Sequence, residues 1–382
     1  MIIGLMKNKR IAIITHEYPP DRGGAGVYCE ELAYAAKKSG SNIEVWAPRD
    51  AKNSDTFKVQ QMPQKGSQDW ICSLRLAKYI KRNSPNVDYF HFADPGALKA
   101  LLRLGYLLKN ISPFIITIHG SELLLFTRNP LEKYLFKLAL KKAKKIHVLS
   151  NHNQRILVGL FPEIAEKVIK IPGAPARRVL PGPDAGTGKT DQDSINQGKL
   201  VLLCVGRIHP RKGQLELLQA VEKLSEISKQ KIRCKFVGPI IRKGYFNKIK
   251  KFADTCGCEV DFTGDLLDQE LEQAYREADF FALTSIPKAK SVEGFGFVYL
   301  EASAHGLPII AHKTGGVEDA VRDGKTGFLV NPANSNELTE KIELLINDEI
   351  VRKSLAENSA SWANQHTWEK VARALYGQLS DS

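Results

Sequence analysis

The sequence predicts an α/β protein built as two Rossmann-like, doubly wound lobes, and three observations lead to that expectation. Short apolar runs rich in Ile, Val, Leu and Phe alternate with longer segments of helical period in both halves of the chain. The length of 382 residues exceeds one ordinary core, whereas two domains of roughly 180 residues each fit the usual range. Between the halves, residues 172–199 are rich in Pro, Gly, Asp and other polar residues without an apolar period, which reads as linker and surface loop. Two lobes imply a cleft between them.

Taken in order, Ile11-Ala-Ile-Ile-Thr15 is a buried-strand candidate, residues 24–38 a helix, Asn42-Ile-Glu-Val-Trp46 a strand and Phe114-Ile-Ile-Thr-Ile118 another. Such alternation predicts a parallel sheet with its ligands at the carboxyl ends of the strands. The second half repeats the plan in Leu200-Val-Leu-Leu-Cys-Val-Gly206, Ile232-Arg-Cys-Lys-Phe-Val-Gly238, Val260-Asp-Phe-Thr263 and Asp279-Phe-Phe-Ala-Leu283. Residues 355–379, with Trp362 and Trp368, read as helices that end the chain.

Composition narrows the function classes. With 43% hydrophobic and 25% charged residues the chain is globular. No window approaches the roughly 20 apolar residues of a membrane span. Met1-Ile-Ile-Gly-Leu-Met6 is too short for a secretory signal, and Lys7, Lys9 and Arg10 follow it instead of preceding it. A cytoplasmic location is therefore expected. The six cysteines lack zinc-finger spacing or a disulfide framework, and Cys256-Gly-Cys258 alone is weak support for a metal.

The net charge of +13 is uneven: residues 1–180 carry +15 and the remainder −2. Much of the excess lies between Lys133 and Lys145, where Leu131, Leu135 and Leu138 with Phe136 and Leu140 give helical apolar spacing. This stretch reads either as a basic amphipathic helix lying on an anionic membrane at the inner face, or as an ordinary surface helix packed by its leucine side. No nucleic-acid-binding motif accompanies the charge, so nucleic acid is not an expected partner.

Two motifs in the linker are set aside. Gly186-Thr-Gly-Lys-Thr190 has the end of a P-loop, but Pro183 stands where its first glycine belongs and no strand precedes it. Asp191-Gln-Asp193 mimics a metal-binding D-x-D in the same irregular stretch.

The most informative segment is Ser291-Val-Glu-Gly-Phe-Gly-Phe-Val-Tyr-Leu-Glu301. Gly294 and Gly296 let backbone approach a ligand, and the apolar run from Phe297 begins a helix whose first N–H groups favour an anion such as a diphosphate. Glu293 and Glu301 bracket that start with acceptors suited to hydroxyls of a sugar and a ribose. A second cluster, Arg207-Ile-His-Pro-Arg-Lys-Gly213, places cations at a strand's carboxyl end. There Arg supplies a planar fork and Lys a mobile point charge for a diphosphate. In the first half, Thr15-His-Glu-Tyr-Pro-Pro-Asp-Arg-Gly-Gly-Ala-Gly26 links a strand to a helix, and His119-Gly-Ser-Glu122 follows another strand. On spacing alone the former is as well read as a plain strand-to-helix turn, and the latter as a structural His.

Together these residues resemble the family-4 retaining glycosyltransferases of the GT-B fold, through the E-x7-E pattern of Glu293 and Glu301 and the runs Ala302-Ser-Ala-His-Gly-Leu-Pro-Ile-Ile310, Thr314-Gly-Gly-Val-Glu-Asp319 and Asp323-Gly-Lys-Thr-Gly-Phe-Leu-Val330. Arg207 and Lys212 match the family's R-x4-K pair, Gly23 and Gly24 its P-x2-G-G loop, and His119 its H-G element. The resemblance implies a metal-independent enzyme without a cofactor that moves a sugar from a nucleoside-diphosphate donor to a glycan or lipid-linked acceptor. Arg207 and Lys212 would hold the diphosphate, Glu301 the ribose, and Glu293 with the backbone of Gly294, Phe295, Gly296, Phe297 and Val298 the sugar. His119 would orient the sugar, and the backbone at Thr263 and Gly264 would meet the base. It also implies domains at 1–180 and 181–359, with a terminal helix in 360–382 returning to the first. Where the family commonly has I-P-N-G-V-D, this chain has Ile171-Pro-Gly-Ala-Pro-Ala176, and an insertion, Ile286-Pro-Lys-Ala-Lys-Ser-Val292, precedes Glu293. Rival readings are a sugar-nucleotide epimerase, for which Glu17 and Glu122 would supply acid and base, and a non-catalytic sugar-nucleotide-binding protein.

Overall fold

The computed structural model describes residues 9–21, 23–62, 69–105, 111–182, 198–287 and 292–377. The two linker motifs at 186–193 lie outside the described residues, as do residues 288–291 of the insertion. The chain forms two compact units, one of Met1–Gly173, Ala289–Phe295 and Thr367–Ser382 and the other of Ala174–Lys288 and Gly296–His366. The sequence reading placed the corresponding divisions at 180 and 359.

The first unit is organised by a parallel sheet in the order β3-β2-β1-β4-β5-β6-β7. Its strands are β1 (Arg10–Ile14), β2 (Asn42–Ala47), β3 (Lys58–Gln61), β4 (Tyr89–Phe92), β5 (Phe114–Ile118), β6 (Lys145–Val148) and β7 (Val168–Lys170). The second unit contains β8 (Leu200–Val205), β9 (Ile232–Val237), β10 (Glu259–Gly264), β11 (Phe280–Leu283), β12 (Ile309–His312) and β13 (Gly327–Val330), ordered β10-β9-β8-β11-β12-β13. Central strands of both sheets are covered on two faces, which is why RIAII, FIITI and LVLLCV read as continuous apolar runs. The strand order reverses between β1 and β4 and between β8 and β11, and open α/β sheets bind ligands at such points.

The terminal helix Trp368–Tyr376 packs on the helix Gly24–Lys38 of the first unit. It buries Trp368, Val371, Ala372, Leu375 and Tyr376, and Trp368 meets Tyr28 edge-on at 5.7 Å. Lys145 corrects the sequence reading of the basic stretch, because the helix there is Pro130–Lys142 and Lys145 opens β6. Its Nζ donates to Ala374 O and Leu375 O, both at 3.1 Å, and so satisfies carbonyls at the end of the terminal helix.

A buried polar chain crosses the first sheet. Tyr376 Oη lies 2.7 Å from His91 Nδ1, His91 Nε2 2.7 Å from Thr117 Oγ1, Thr117 Oγ1 2.9 Å from Tyr28 Oη, and Tyr28 Oη 2.9 Å from His147 Nδ1. His147 Nε2 ends the chain 2.9 Å from Ile171 O. A carbonyl only accepts, so His147 donates there, and the neutral imidazole takes Tyr28's proton at Nδ1. Tyr28 then accepts from Thr117, Thr117 from His91 Nε2–H, and His91 from Tyr376. Thr117 Oγ1 also lies 3.3 Å from His147 Nδ1, a longer alternative for the same proton.

Burial lowers His147 to about 4 and His91 well below its ordinary value. The unfolded chain therefore takes up protons on these rings at a higher pH than the folded one. Their contribution to stability is complete above about pH 6.5 and is lost as pH falls toward 4. For His147 the loss amounts to about 3 kcal/mol. A denaturant midpoint that falls between pH 7 and pH 4.5, and falls less in His147→Gln, is the expected result; an equal fall in both proteins contradicts it.

Candidate active site

In the second unit the backbone of the loop after β8 is anchored at several points. His209 Nδ1 accepts from Arg211 N at 3.1 Å inside a short 3-10 turn, Ile286 N donates to Arg211 O at 2.8 Å, and Thr284 Oγ1 donates to Gly213 O at 2.7 Å. Gly213 has φ +73°, and a Cβ there would stand 1.9 Å from Thr284 O, so only glycine fits. Lys212 is half-buried, and its Cδ and Cε stand 3.8 Å from the direction in which a Cβ on Gly206 would point. Arg207 is exposed, and its carbonyl accepts from Gln214 Nε2 at 3.0 Å. Burial raises the Cys204 thiol to about 12, against the pull of the Lys212 ammonium.

The same loop adjoins the ends of β9 and β10. Gly206 N donates to Val237 O at 2.8 Å, Ile208 N to Pro239 O at 2.9 Å, and Gly238 N to Gly264 O at 2.7 Å. Thr263 Oγ1 is turned to the backbone, 3.4 Å from Phe236 O.

The helix Phe297–Ala304 starts from Gly296, and Tyr299 Oη ties it to Leu283 O at 3.0 Å, at the end of β11. Phe297 and Val298 occupy its half-exposed first turn. Glu301 lies on the buried side, where Tyr275 Oη donates to Oε2 at 3.0 Å. Burial raises its carboxyl above the ordinary range, opposed by Tyr275, Arg178 and the backbone of Ala176. The two glutamates that the sequence reading set around one anion therefore fall in different units, Glu293 in the first and Glu301 in the second.

In the first unit Asp94 organises the loop after β1. Its Oδ1 accepts from Ala97 N at 2.7 Å, capping the helix Pro95–Leu104, while Oδ2 accepts from Thr15 Oγ1 at 2.7 Å, from Glu17 N at 3.2 Å and from His16 N. Gly23 caps the helix that begins at Gly24, and Glu17 Oε1 stands at its N-terminus, 3.4 Å from Gly26 N. The loop that the sequence offered to a phosphate or sugar is here covered by the chain's own carboxylate.

His119 is pinned at three points. Its Nε2–H donates to Ala93 O at 2.8 Å, its backbone N donates to Glu122 Oε1 at 3.1 Å, and its ring meets Tyr28 edge-on at 5.1 Å. Glu122 is fully buried and also accepts from Gly120 N at 2.8 Å, so it shapes this loop, in contrast to the acid or base role of the epimerase reading. Gly294 lies directly on His119: a Cβ on Gly294 would stand 1.6 Å from His119 O. Asn153 Nδ2 reaches Gly294 O at 3.4 Å. The structure thus brings His119 together with Gly294, beside Glu293 and Phe295 in the same unit, and gathers Arg207, Lys212 and Gly264 in the other. Sequence reasoning missed Asn153, Asp94, Thr284 and Tyr28. Only Asp94-Pro95 carried a local signal, as a helix start.

Two parallel Rossmann-like sheets with cation-bearing and glycine-bearing loops at their carboxyl ends match the GT-B fold. Two family models match the chain, "Glycosyltransferase Family 4" over residues 22–174 and "Glycosyl transferases group 1" over residues 189–362. The chain belongs to the family-4 glycosyltransferases and acts on nucleotide sugars. It is 28% identical to an uncharacterized glycosyltransferase of Methanocaldococcus jannaschii over 95% of this chain and 97% of that one. It is 25% identical to the GDP-mannose-dependent alpha-(1-6)-phosphatidylinositol monomannoside mannosyltransferase of Mycobacterium tuberculosis, over 96% and 97%. Among solved structures, Anabaena HepE in complex with UDP and glucose superposes with a TM-score of 0.76 at 21% identity, covering 96% of this chain and 98% of that one. Sucrose-phosphate synthase of Thermosynechococcus elongatus gives 0.78 at 20% identity, covering 97% and 98%.

Proposed function

We propose that this enzyme is a retaining, metal-independent transferase that moves a hexose from GDP-mannose or a UDP-sugar to a hydroxyl of a glycan or lipid-linked acceptor in cell-envelope polysaccharide synthesis. The observation that carries the reading is the rigid β8 loop with Arg207 and Lys212, placed at the point where the second sheet reverses its order. These cations hold the diphosphate and offset the charge that grows on it as the bond to the anomeric carbon breaks. Glu301 takes the ribose, Thr263 and Gly264 the base, and Glu293 with residues 294–298 the sugar hydroxyls, while His119 orients the sugar. The acceptor oxygen attacks on the face the diphosphate leaves, and the leaving phosphate takes the acceptor's proton, so no nucleophile of the chain is used. Relatives that use GDP-mannose and a neighbour solved with UDP support both donor candidates.

Calorimetric titration with UDP, GDP and ADP, first without metal and then with magnesium, tests the site. One nucleotide is expected to bind selectively in both conditions. Binding of none, or only with magnesium, overturns the assignment.

Peripheral membrane binding is part of the same proposal. No helix among the described residues is long and apolar enough to cross a membrane. On the helix Pro130–Lys142 the buried residues are Phe136, Ala139 and Leu140, with Leu135 packed against the core, so the stripe is divided and Leu131 and Leu138 lie off the packed side. Leu131, Tyr134 and Leu138 are exposed beside Lys133 and Lys142, while Lys137 and Lys141 lie 2.7 and 3.8 Å from Glu163. Apolar side chains and cations presented together suit an anionic bilayer surface. At low salt the protein should sediment with vesicles containing anionic phospholipid, and Leu131→Glu with Tyr134→Glu should reduce the bound fraction severalfold. Equal binding by the variant contradicts this surface.

A further inference from the structure

We propose that Tyr28 is a positioning residue for His119, held in place by the buried hydrogen-bond chain that runs to Tyr376 of the terminal helix. The inference rests on the reading of His119 as the residue that orients the donor sugar. His119 has one in-plane anchor, the Nε2–H bond to Ala93 O. That bond alone leaves the ring able to rock about its own axis. Tyr28 supplies the side wall, perpendicular to the imidazole at 5.1 Å.

Tyr28 is itself fully buried, and its hydroxyl has both functions used: it donates to His147 and accepts from Thr117. Trp368 closes its other side at 5.7 Å. The acceptor end of the chain is the Ile171 carbonyl and the donor end is Tyr376, so the shortest contacts form one continuous run from donor to acceptor. Tyr376 stands 285 residues from His91 in sequence, and the terminal helix thereby becomes part of the foundation under His119.

Removing the Tyr28 hydroxyl takes away the shorter partner of both Thr117 Oγ1 and His147 Nδ1 and leaves them only their mutual 3.3 Å contact, while the ring volume remains. Tyr28→Phe is therefore the conservative probe and Tyr28→Leu the severe one, which also removes the wall. The test is a double-mutant cycle with His119→Ala, measured as kcat and KM for the donor together with nucleotide diphosphate affinity by calorimetry. His119→Ala is expected to lower kcat at least tenfold. Tyr28→Phe should lower kcat severalfold and Tyr28→Leu more, each with nucleotide affinity within twofold of the parent. In the His119→Ala background both Tyr28 substitutions should cost less than twofold further.

A purely structural role for Tyr28 predicts instead that its losses multiply with that of His119→Ala, and this result overturns the proposal. If His119→Ala alone leaves kcat unchanged, the orienting role of His119 fails first and the positioning role with it. Tyr376→Phe is a second, milder probe that leaves the ring wall untouched: a fall in kcat smaller than that of Tyr28→Phe, absent in the His119→Ala background, supports the chain, and an undiminished loss in that background opposes it.

Discussion

Lys212→Ala should lower kcat by roughly a hundredfold to a thousandfold, the usual cost of removing one preorganised group that meets charge developing in a transition state, with little change in the unfolding midpoint. The stability side follows from exposure: Lys212 is half-buried at the end of a surface turn, and its ammonium closes no core. Substitutions of that kind usually stay within about 0.5 kcal/mol. The rate side follows from rigidity. Arg211 is held through both its N–H and its carbonyl, and Gly213 is wedged against Thr284, so the backbone that carries Lys212 is fixed on both sides. Such a charge acts where the leaving diphosphate gains negative charge, and its loss falls on kcat as well as on donor affinity. Lys212→Arg keeps the charge but changes its reach and should retain an intermediate rate. Initial rates at saturating donor, with circular dichroism for the fold, decide the matter. A folded Lys212→Ala enzyme with the parent's kcat rejects the role.

The strands β1, β5, β8 and β11 were legible because apolar residues dominate their runs, whereas the equally buried β4 and β12, each only four residues long and carrying a His, were not read as strands. β3 is KVQQ on a sheet edge, and β7 has three residues, so neither gives a period to count. The helix at 130–142 misled for a physical reason. Its apolar residues satisfy helical spacing, yet the core takes Phe136, Ala139 and Leu140 with Leu135 against it, and only Leu131 and Leu138 remain outside beside Tyr134. Composition alone cannot say which of two apolar stripes a sheet will cover. In the site, the cations and glycines were legible as local motifs. The separation of Glu293 from Glu301 was not, because the chain passes from one unit to the other between Phe295 and Gly296. Asp94 and the chain from Tyr28 to Tyr376 join residues 26 to 285 positions apart, and no local pattern carries such pairings.

Gly294→Ala should abolish transfer to at least a hundredfold below the parent while the nucleotide diphosphate still binds. A Cβ at this position would lie 1.6 Å from His119 O and 2.8 Å from His119 C, so one of the two segments has to move. His119 is the less free, since Glu122 and Ala93 hold its backbone and ring at 3.1 and 2.8 Å. Glu122 also accepts from Gly120 N, and a shift of the His119 loop would expose an unpaired buried carboxylate, which costs more than a displaced surface segment. Gly294 therefore yields, its contact with Asn153 Nδ2 is lost, and Glu293 moves with it. Displacement of a positioning group by about 1 Å costs on the order of a hundredfold in rate. The cations on the β8 loop belong to the other unit, so calorimetry should find diphosphate affinity within a few-fold of the parent. Glu293→Ala removes the same carboxylate without moving the loop, and the double variant should be no slower than the slower single one. Independent, multiplying losses would mean that Gly294 and Glu293 serve different steps, and retention of the parent's kcat in Gly294→Ala would mean that the close approach to His119 has no part in transfer.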